Sequence, residues 1–297
     1  MTEPDVDALG AAARAQARDA AEALGLAVSP AHDVGDAREL LATFNRIWDV
    51  AHESDVMDLG SVVALTHSGN YVGLAHLAGR LIGGGVGFCG PPGAGFHSHV
   101  VGVDPAAGGK GVGRAIKLDQ RAWCLERGIT AMRWTYDPLV SRNAAFNIRK
   151  LGAVPESYHE DFYGPMNDAI NSGQPSDRMV LRWDLTRDLP AGTGDRAPLP
   201  GEPADGIPAV VAVASGDGEP GDFTAPPADH TGEVLIGVPP DIEGLRRRDR
   251  DLAARWRMVT REAFGALIGH GWQVTDFRPG HYVLRRDGTP MSREGTP

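Results

Sequence analysis

The sequence is poor in cysteine: Cys89 and Cys124 are the only two in 297 residues, too few for a disulfide framework. No CxxC pair or alternating Cys/His spacing is present, so no structural zinc site and no metal is expected, and both thiols are expected to be reduced and buried. No stretch approaches the ~18 uninterrupted apolar residues of a membrane span. The N-terminus also lacks the basic-then-apolar order of a signal peptide, so the expectation is a cytoplasmic protein without a membrane partner. Basic residues are in deficit, 29 against 39 acidic ones, and the formal charge of -10 disfavours a nucleic-acid surface. What is present is apolar sequence, 42%, enough for one large core or two modest ones.

Residues 7–24, rich in Ala, Arg and Glu, read as a helix leading to a short strand at 27–29. Asp36 is placed to cap a second helix, whose Leu40, Leu41, Phe44, Ile47 and Trp48 recur at helical spacing. Residues 75–90 read as a hairpin turning at Ala78-Gly79-Arg80, and 97–103 as another strand. A helix over 112–126 follows, stopped by Gly128, then a strand at 131–136 and a short helix at 141–151 ended by Gly152. Strands at 157–162 and 179–183 complete this part.

Glycine and proline dominate 187–231, which reads as an irregular connection holding one strand at 209–214. Beyond it are expected a strand at 234–238, one helix over 241–268, and strands at 273–277 and 282–285. Arg246, Arg250, Arg257 and Arg261 make a basic stripe on that helix, which reads as a solvated face, or else as a receiver of an acidic substrate or of an acidic surface on a second subunit.

The most informative stretch is Val101-Gly102-Val103-Asp104-Pro105-Ala106-Ala107-Gly108-Gly109-Lys110-Gly111-Val112-Gly113-Arg114, where a strand turns through glycines into a helix. Glycine lets backbone approach a ligand, while the first N–H groups of a helix and its dipole favour a pyrophosphate; Lys110 adds a positive charge. The plainer reading is an ordinary tight connection. Two rival motifs fail on context. Gly85-Val86-Gly87-Phe88-Cys89-Gly90 fits G-x-G-x-x-G but runs into Pro91-Pro92-Gly93 where a dinucleotide fold needs a helix, and no G-x-x-x-x-G-K-[ST] loop exists.

The glycine loop resembles the acyl-CoA-binding motif of the GNAT superfamily, V-x-P-x-x-[RQ]-x-x-G-x-[GA], through Val103, Pro105, Gly111 and Gly113. Gly108 departs from it, standing where the pattern has Arg or Gln. The resemblance covers residues 25–185 and includes a downstream segment in which Asn143 and Phe146 would flank the cofactor. Within the superfamily the chain resembles a bacterial acetyltransferase group with a C-terminal extension, through His97-Ser98-His99, Arg133-Trp134-Thr135-Tyr136-Asp137-Pro138 and Pro175-Ser176-Asp177-Arg178.

The resemblance implies a mixed, mostly antiparallel α/β sheet flanked by helices, with a smaller C-terminal β-β-α-β-β extension. It divides the chain into an N-terminal helix (1–25), an acyl-CoA-binding catalytic domain (26–186), the connection (187–231), an extension packed on that domain (232–287) and a disordered tail (288–297). It implies acetyl-CoA, or another acyl-CoA, as co-substrate and a small-molecule amine as acceptor, with a homodimer left open. A non-catalytic acyl-CoA-binding module and an O-acyltransferase are the alternatives. His97, six residues before Val103, sits where histone-modifying relatives carry a base, and His99 is the second candidate. The family's tyrosine acid falls on Ile148. Tyr136, Tyr158 and Tyr163 are the phenols that stand nearest in sequence, and Asp137 is a candidate to orient a histidine or an amine. Core packing is the competing reading for each tyrosine, a turn for Asp137, and helix capping for Asn143.

Overall fold

A computed structural model of the chain describes residues 6–49, 56–164, 175–190, 209–211 and 218–286. These divide into two compact units: the first holds the described residues up to Trp134 together with 184–188, including Asp184, the last residue of the strand Arg178–Asp184, and the second holds the rest. The first unit runs α1 (Val6–Glu22), β1 (Leu26–Pro30), α2 (Val34–Trp48), α3 (Leu59–His67), β2 (Tyr71–Leu77), β3 (Arg80–Cys89), β4 (Phe96–Val103), α4 (Val112–Leu125) and β5 (Ala131–Tyr136), whose last two residues belong to the second unit. Strands β1 to β4 form an antiparallel meander, and β5 joins β4 in parallel.

Adjacent residues of a strand point to opposite faces, and Leu81 and Ile82 show the result. Leu81 packs with Leu40, Phe44 and Val62 of α2 and α3, while Ile82 packs with Ala21 of α1 and Ala115 and Ile116 of α4. Gly10 permits α1 to lie close on the end of α4, because a Cβ there would meet the Glu126 nitrogen at 3.2 Å. The β2–β3 hairpin turns through Ala78 and Gly79, both at positive φ (50° and 77°), as a two-residue turn matched to strand twist requires.

Asp33, not Asp36, caps α2: its side chain accepts from the Gly35 and Asp36 N–H groups. Asp36 Oδ2 reaches back to accept the His32 N–H at 2.7 Å, so two carboxylates three residues apart share the end reciprocally. Helix α3, capped by Asp58, has no counterpart among the elements expected from sequence.

The second unit contains α5 (Ser141–Ala144), which continues as a π-helical stretch through Lys150, then β6 (Val154–His159) and β7 (Arg178–Asp184) as an antiparallel pair. It also contains β8 (Ala209–Val211), β9 (Glu233–Gly237), α6 (Ile242–Arg248), α7 (Arg250–Leu267), β10 (Trp272–Arg278) and β11 (His281–Arg286). The last strands form a sheet in the order β10-β11-β9-β8, with β8 parallel to β9. Phe264 of α7 anchors this core, its ring centroid 5.2 Å from Tyr282 and 5.3 Å from Tyr158. The single helix expected over 241–268 is two helices. Asp249 is extended (φ -151°, ψ 93°) and its side chain caps α7 by accepting from Leu252. The mixed, mostly antiparallel architecture with a smaller C-terminal sheet is as expected; the tail at 288–297 and most of 187–217 lie outside the described residues.

Candidate functional site

Strand β4 is irregular where it approaches the glycine loop. Its register with β3 pairs Gly87 with Ser98 and Val86 with Val100, leaving His99 as an extra residue, a β-bulge. Its ladder with β5 is confined to Phe96↔Met132 and His97↔Arg133. Past His97, β4 continues to Val103 without a β5 partner, so the backbone of Val101, Gly102 and Val103 borders the place where the two strands cease to pair.

The loop that follows is held rigidly at its start. Asp104 accepts from Arg80 Nη2 at 2.6 Å and from the Ala106 N–H at 3.0 Å, and a single 3₁₀ turn spans Pro105–Ala107. Gly109 (φ 74°) and Gly111 (φ 93°) then take the left-handed backbone that only glycine adopts cheaply. A Cβ on Gly109 would meet nothing within 4 Å. Helix α4 starts at Val112 with no side chain on its first N–H groups, so Val112, Gly113 and Arg114 present the donors that a helix start leaves unpaired. Lys110 is exposed, its Nζ donating to the Ala106 carbonyl at 3.2 Å. Gly108 is extended (φ -62°, ψ 154°), a conformation that does not demand glycine, but a Cβ there would sit 3.1 Å from the Pro105 carbonyl oxygen. The rival glycine run Gly85–Gly90 lies along β3, and no helix follows it.

His97 and His99 lie with ring centroids 6.1 Å apart, and Phe88 stands 5.1 Å from the His97 ring. Burial pushes the His97 pKa below the usual imidazole value, and the charges of His99 and Lys117 push in the same direction. Burial lowers His99 as well. Both rings are therefore neutral near pH 7.

On the opposite face of β4 is a polar group that hydrophobic periodicity does not reveal. Ser98 Oγ donates to Gln120 Oε1 at 2.9 Å and receives Lys117 Nζ at 2.9 Å, all three side chains being buried. Lys117 Nζ lies 3.9 Å from the centroid of the Trp134 ring, and burial brings its pKa down to about 7. Within the apolar stripe of α4, positions 117 and 120 pass in sequence for solvent-facing ones.

The remaining candidates are in the second unit. Tyr136 is buried and its hydroxyl meets that of Tyr282 at 2.9 Å; Tyr282 in turn donates to the Pro138 carbonyl at 2.7 Å. Asp137 Oδ2 accepts from Arg246 at 2.6 Å and Arg257 at 2.7 Å. Burial alone would raise the Asp137 pKa, but the Arg257 and Arg246 charges outweigh it and hold the carboxyl well below its usual range. Tyr158 donates to Asp177 at 2.5 Å, and burial together with that carboxylate pushes its pKa up. Tyr163, by contrast, is 42% exposed, with its hydroxyl 2.9 Å from Thr135 Oγ1.

Asn143 lies inside the short helix, which is capped by Val140, so it does not serve as the cap; Phe146 is partly buried on the π-helical stretch and Ile148 is buried. The basic stripe is not a solvated face. Arg246 and Arg257 are internal, Arg261 pairs with Asp177 at 2.5 Å, and of the four only Arg250 is exposed. Cys124 is buried as expected, but Cys89, at the end of β3, is exposed. Among the described residues no cluster of metal ligands occurs, and no helix is long and apolar enough to cross a membrane.

No protein-family model matches the chain, and no curated protein matches it. Solved structures do. The ribosomal-protein-S18-alanine N-acetyltransferase of Escherichia coli is 13% identical, over 55% of this chain and 96% of its own, with a TM-score of 0.45. An N-acetyltransferase from Staphylococcus aureus is 12% identical over 54% and 98%, with a TM-score of 0.44. An acetyltransferase of the GNAT family from Streptococcus pneumoniae is 17% identical over 55% and 99%, with a TM-score of 0.41. These structures resemble about half of the present chain.

Proposed function

We propose that the chain is a GNAT-type acyl-CoA-dependent N-acyltransferase, taking acetyl-CoA and a small-molecule amine. The observation that carries this reading is strand β4: it bulges at His99, loses its β5 partner after His97, and runs directly into the Gly108–Gly113 loop and the uncapped start of α4. A pyrophosphate suits the N–H groups of that loop and helix end, and a thioester suits the space beside unpaired strand backbone, where N–H donors favour a developing oxyanion. The acceptor nitrogen would attack the thioester carbon, the C–S bond would break, and the amine proton would pass to His97. Because its pKa is lowered, His97 is in the proton-accepting form at neutral pH.

Gly111→Val should weaken acetyl-CoA binding by about tenfold or more, since a branched side chain would stand at a positive-φ position against the approaching ligand. Calorimetry on the folded variant measures this, and unchanged affinity would remove the loop from the site. His97→Ala should reduce turnover by about 10²-fold with little change in cofactor affinity, and should shift the rising limb of the pH profile upward. A variant with the wild-type profile would leave His97 a structural part only.

One observation favours a second reading, a non-catalytic acyl-CoA-binding module: the hydroxyls of Tyr136 and Tyr158 are already engaged, by Tyr282 and Asp177, and the resemblance puts Ile148 where the family has its acid. Tyr163 is then the phenol with access to solvent. Thiol release from acetyl-CoA across a panel of amines separates the two readings, because the module would bind the cofactor and release none.

A further inference from the structure

We infer that Lys117 is a positioning residue for His97, acting on the imidazole through the backbone of β4 from the far side of the sheet. All the groups concerned lie in the first unit. Lys117 and Gln120 stand three residues apart on α4 and so share one face of it, and both reach Ser98, the residue between His97 and His99. Ser98 Oγ accepts from Lys117 Nζ at 2.9 Å and donates to Gln120 Oε1 at 2.9 Å, so the strand is tied to the helix midway between the two imidazoles. Gly85 of β3 leaves room for this cluster, since a Cβ there would stand 3.1 Å from Gln120 Nε2.

Packing does not require an amine here. The Lys117 Nζ is buried 3.9 Å from the centroid of the Trp134 ring and 3.9 Å from the Met132 sulfur, surroundings that suit a methionine as well and without the cost of burying a charge. A charge kept inside at a cost to stability is a mark of a functional position. What the position offers is closeness to β4 with no water between. Charges interact through the interior with much less screening than across a surface, so a cation beside Ser98 is felt one residue along the strand. The sign is that of like charges. Protonated Lys117 opposes a second cation at His97 and keeps that ring in the proton-accepting form, the direction in which burial, His99 and Lys117 all push it. Because Lys117 titrates at about 7 and His97 below its ordinary value, Lys117 carries its charge over the range in which His97 takes up a proton.

Among the described residues, three charged or titratable groups face His97. They are Lys117 from α4, His99 on the same strand, and Arg133, the β5 partner, whose Nη1 donates to the Ala94 carbonyl at 3.1 Å. β3 supplies the Phe88 ring, and α2 and α3 turn apolar side chains to this side of the sheet. Of the three, only Lys117 is buried. Cys124, beside Lys117, is held as the neutral thiol by burial.

The action of Lys117 on His97 stands without any assumption about the reaction; its effect on turnover rests on the acyltransferase reading, and the test has one arm for each. In the first, the His97 ring is titrated by NMR in the full chain, labelled at histidine and assigned with His97→Ala. Lys117→Met should raise the His97 midpoint by about half a pH unit or more, at low and high salt alike, because ions do not screen a buried charge. Lys117→Gln, which packs differently but is equally neutral, should raise it by the same amount. A midpoint unmoved in either folded variant, or a difference that salt abolishes, would overturn the inference. In the second arm, turnover of acetyl-CoA with an accepted amine is followed against pH. The rising limb of Lys117→Met should move upward with the NMR midpoint, lowering turnover about threefold on that limb at unchanged acetyl-CoA affinity. Well above pH 7, where wild-type Lys117 has lost its own proton, the two proteins should converge. A limb that stays in place while the midpoint moves would overturn the role of Lys117 toward the base. Wild-type protein that releases no thiol with any amine would count against the acyltransferase reading, and the NMR arm then decides the action on His97 by itself.

Discussion

Asp137→Ala should destabilise the second unit by about 3–5 kcal/mol, enough to unfold a protein of ordinary stability. The carboxylate is 8% exposed and is bonded to two arginines that are themselves internal, Arg246 and Arg257. Removing it takes from two buried guanidinium groups the carboxylate that they share, which costs more than the lost hydrogen bonds alone. Urea denaturation followed by circular dichroism measures the effect. Asp137→Asn keeps the shape but not the charge and should be nearly as damaging; a fully stable asparagine variant would show that the pair of arginines does not need the anion. The native carboxyl titrates below its unfolded value, so its stabilisation is complete above the ordinary carboxylate range and is lost as pH falls below it. Acid sensitivity should therefore be smaller in either variant than in the wild type.

Lys117→Met should have the opposite sign, raising stability at neutral pH. Lys117 is 4% exposed, has no carboxylate within salt-bridge distance among the described residues, and burial brings its pKa down to about 7, although the face of Trp134 returns part of the cost of holding a cation. An unfolded chain keeps the lysine protonated up to its ordinary value, so between the two values unfolding takes up a proton. Wild-type stability should consequently rise with pH from about 7 toward 10.5, by up to about 1.4 kcal/mol per unit. The methionine variant should show a flatter profile, with the difference between the two largest at pH 7. Ser98 and Gln120 retain their mutual hydrogen bond in the variant, so no polar orphan arises there. Parallel profiles for the two proteins would mean that Lys117 is charged in the folded state.

These two residues mark where the sequence stops being legible. The glycine loop, the α4 stripe and the β2–β3 turn are local features, decided by residues within a few positions of one another, and all three are found where spacing places them. Sequence reading assigns the α2 cap to Asp36 and passes over Asp33, which is equally competent; only geometry shows that Asp33 caps and Asp36 reaches back. A signal for the break at Asp249 existed, an aspartate three residues before Leu252, but continuous apolar spacing across it spoke for one helix. For Arg246, Arg257 and Arg261 no local signal exists. Their acids, Asp137 and Asp177, lie 109, 120 and 84 residues away along the chain. Periodicity assigns charged positions to solvent by default, and the same default hides Lys117.

The bulge in β4 bears on which residues the strand can spare. Deleting a residue from a strand normally exchanges its two faces, and in β4 most deletions would be ruinous in this way. Loss of Val101, for instance, would bring Val103 to the place of Gly102, where an added Cβ would stand 2.6 Å from the Trp48 ring. His99 is the exception. With Ser98 directed to α4 and Val100 packed with the α2–α3 side, excising His99 leaves both directions unchanged and only regularises the ladder with β3. Packing is thus indifferent to this residue, and β4 is one residue longer than its cores require.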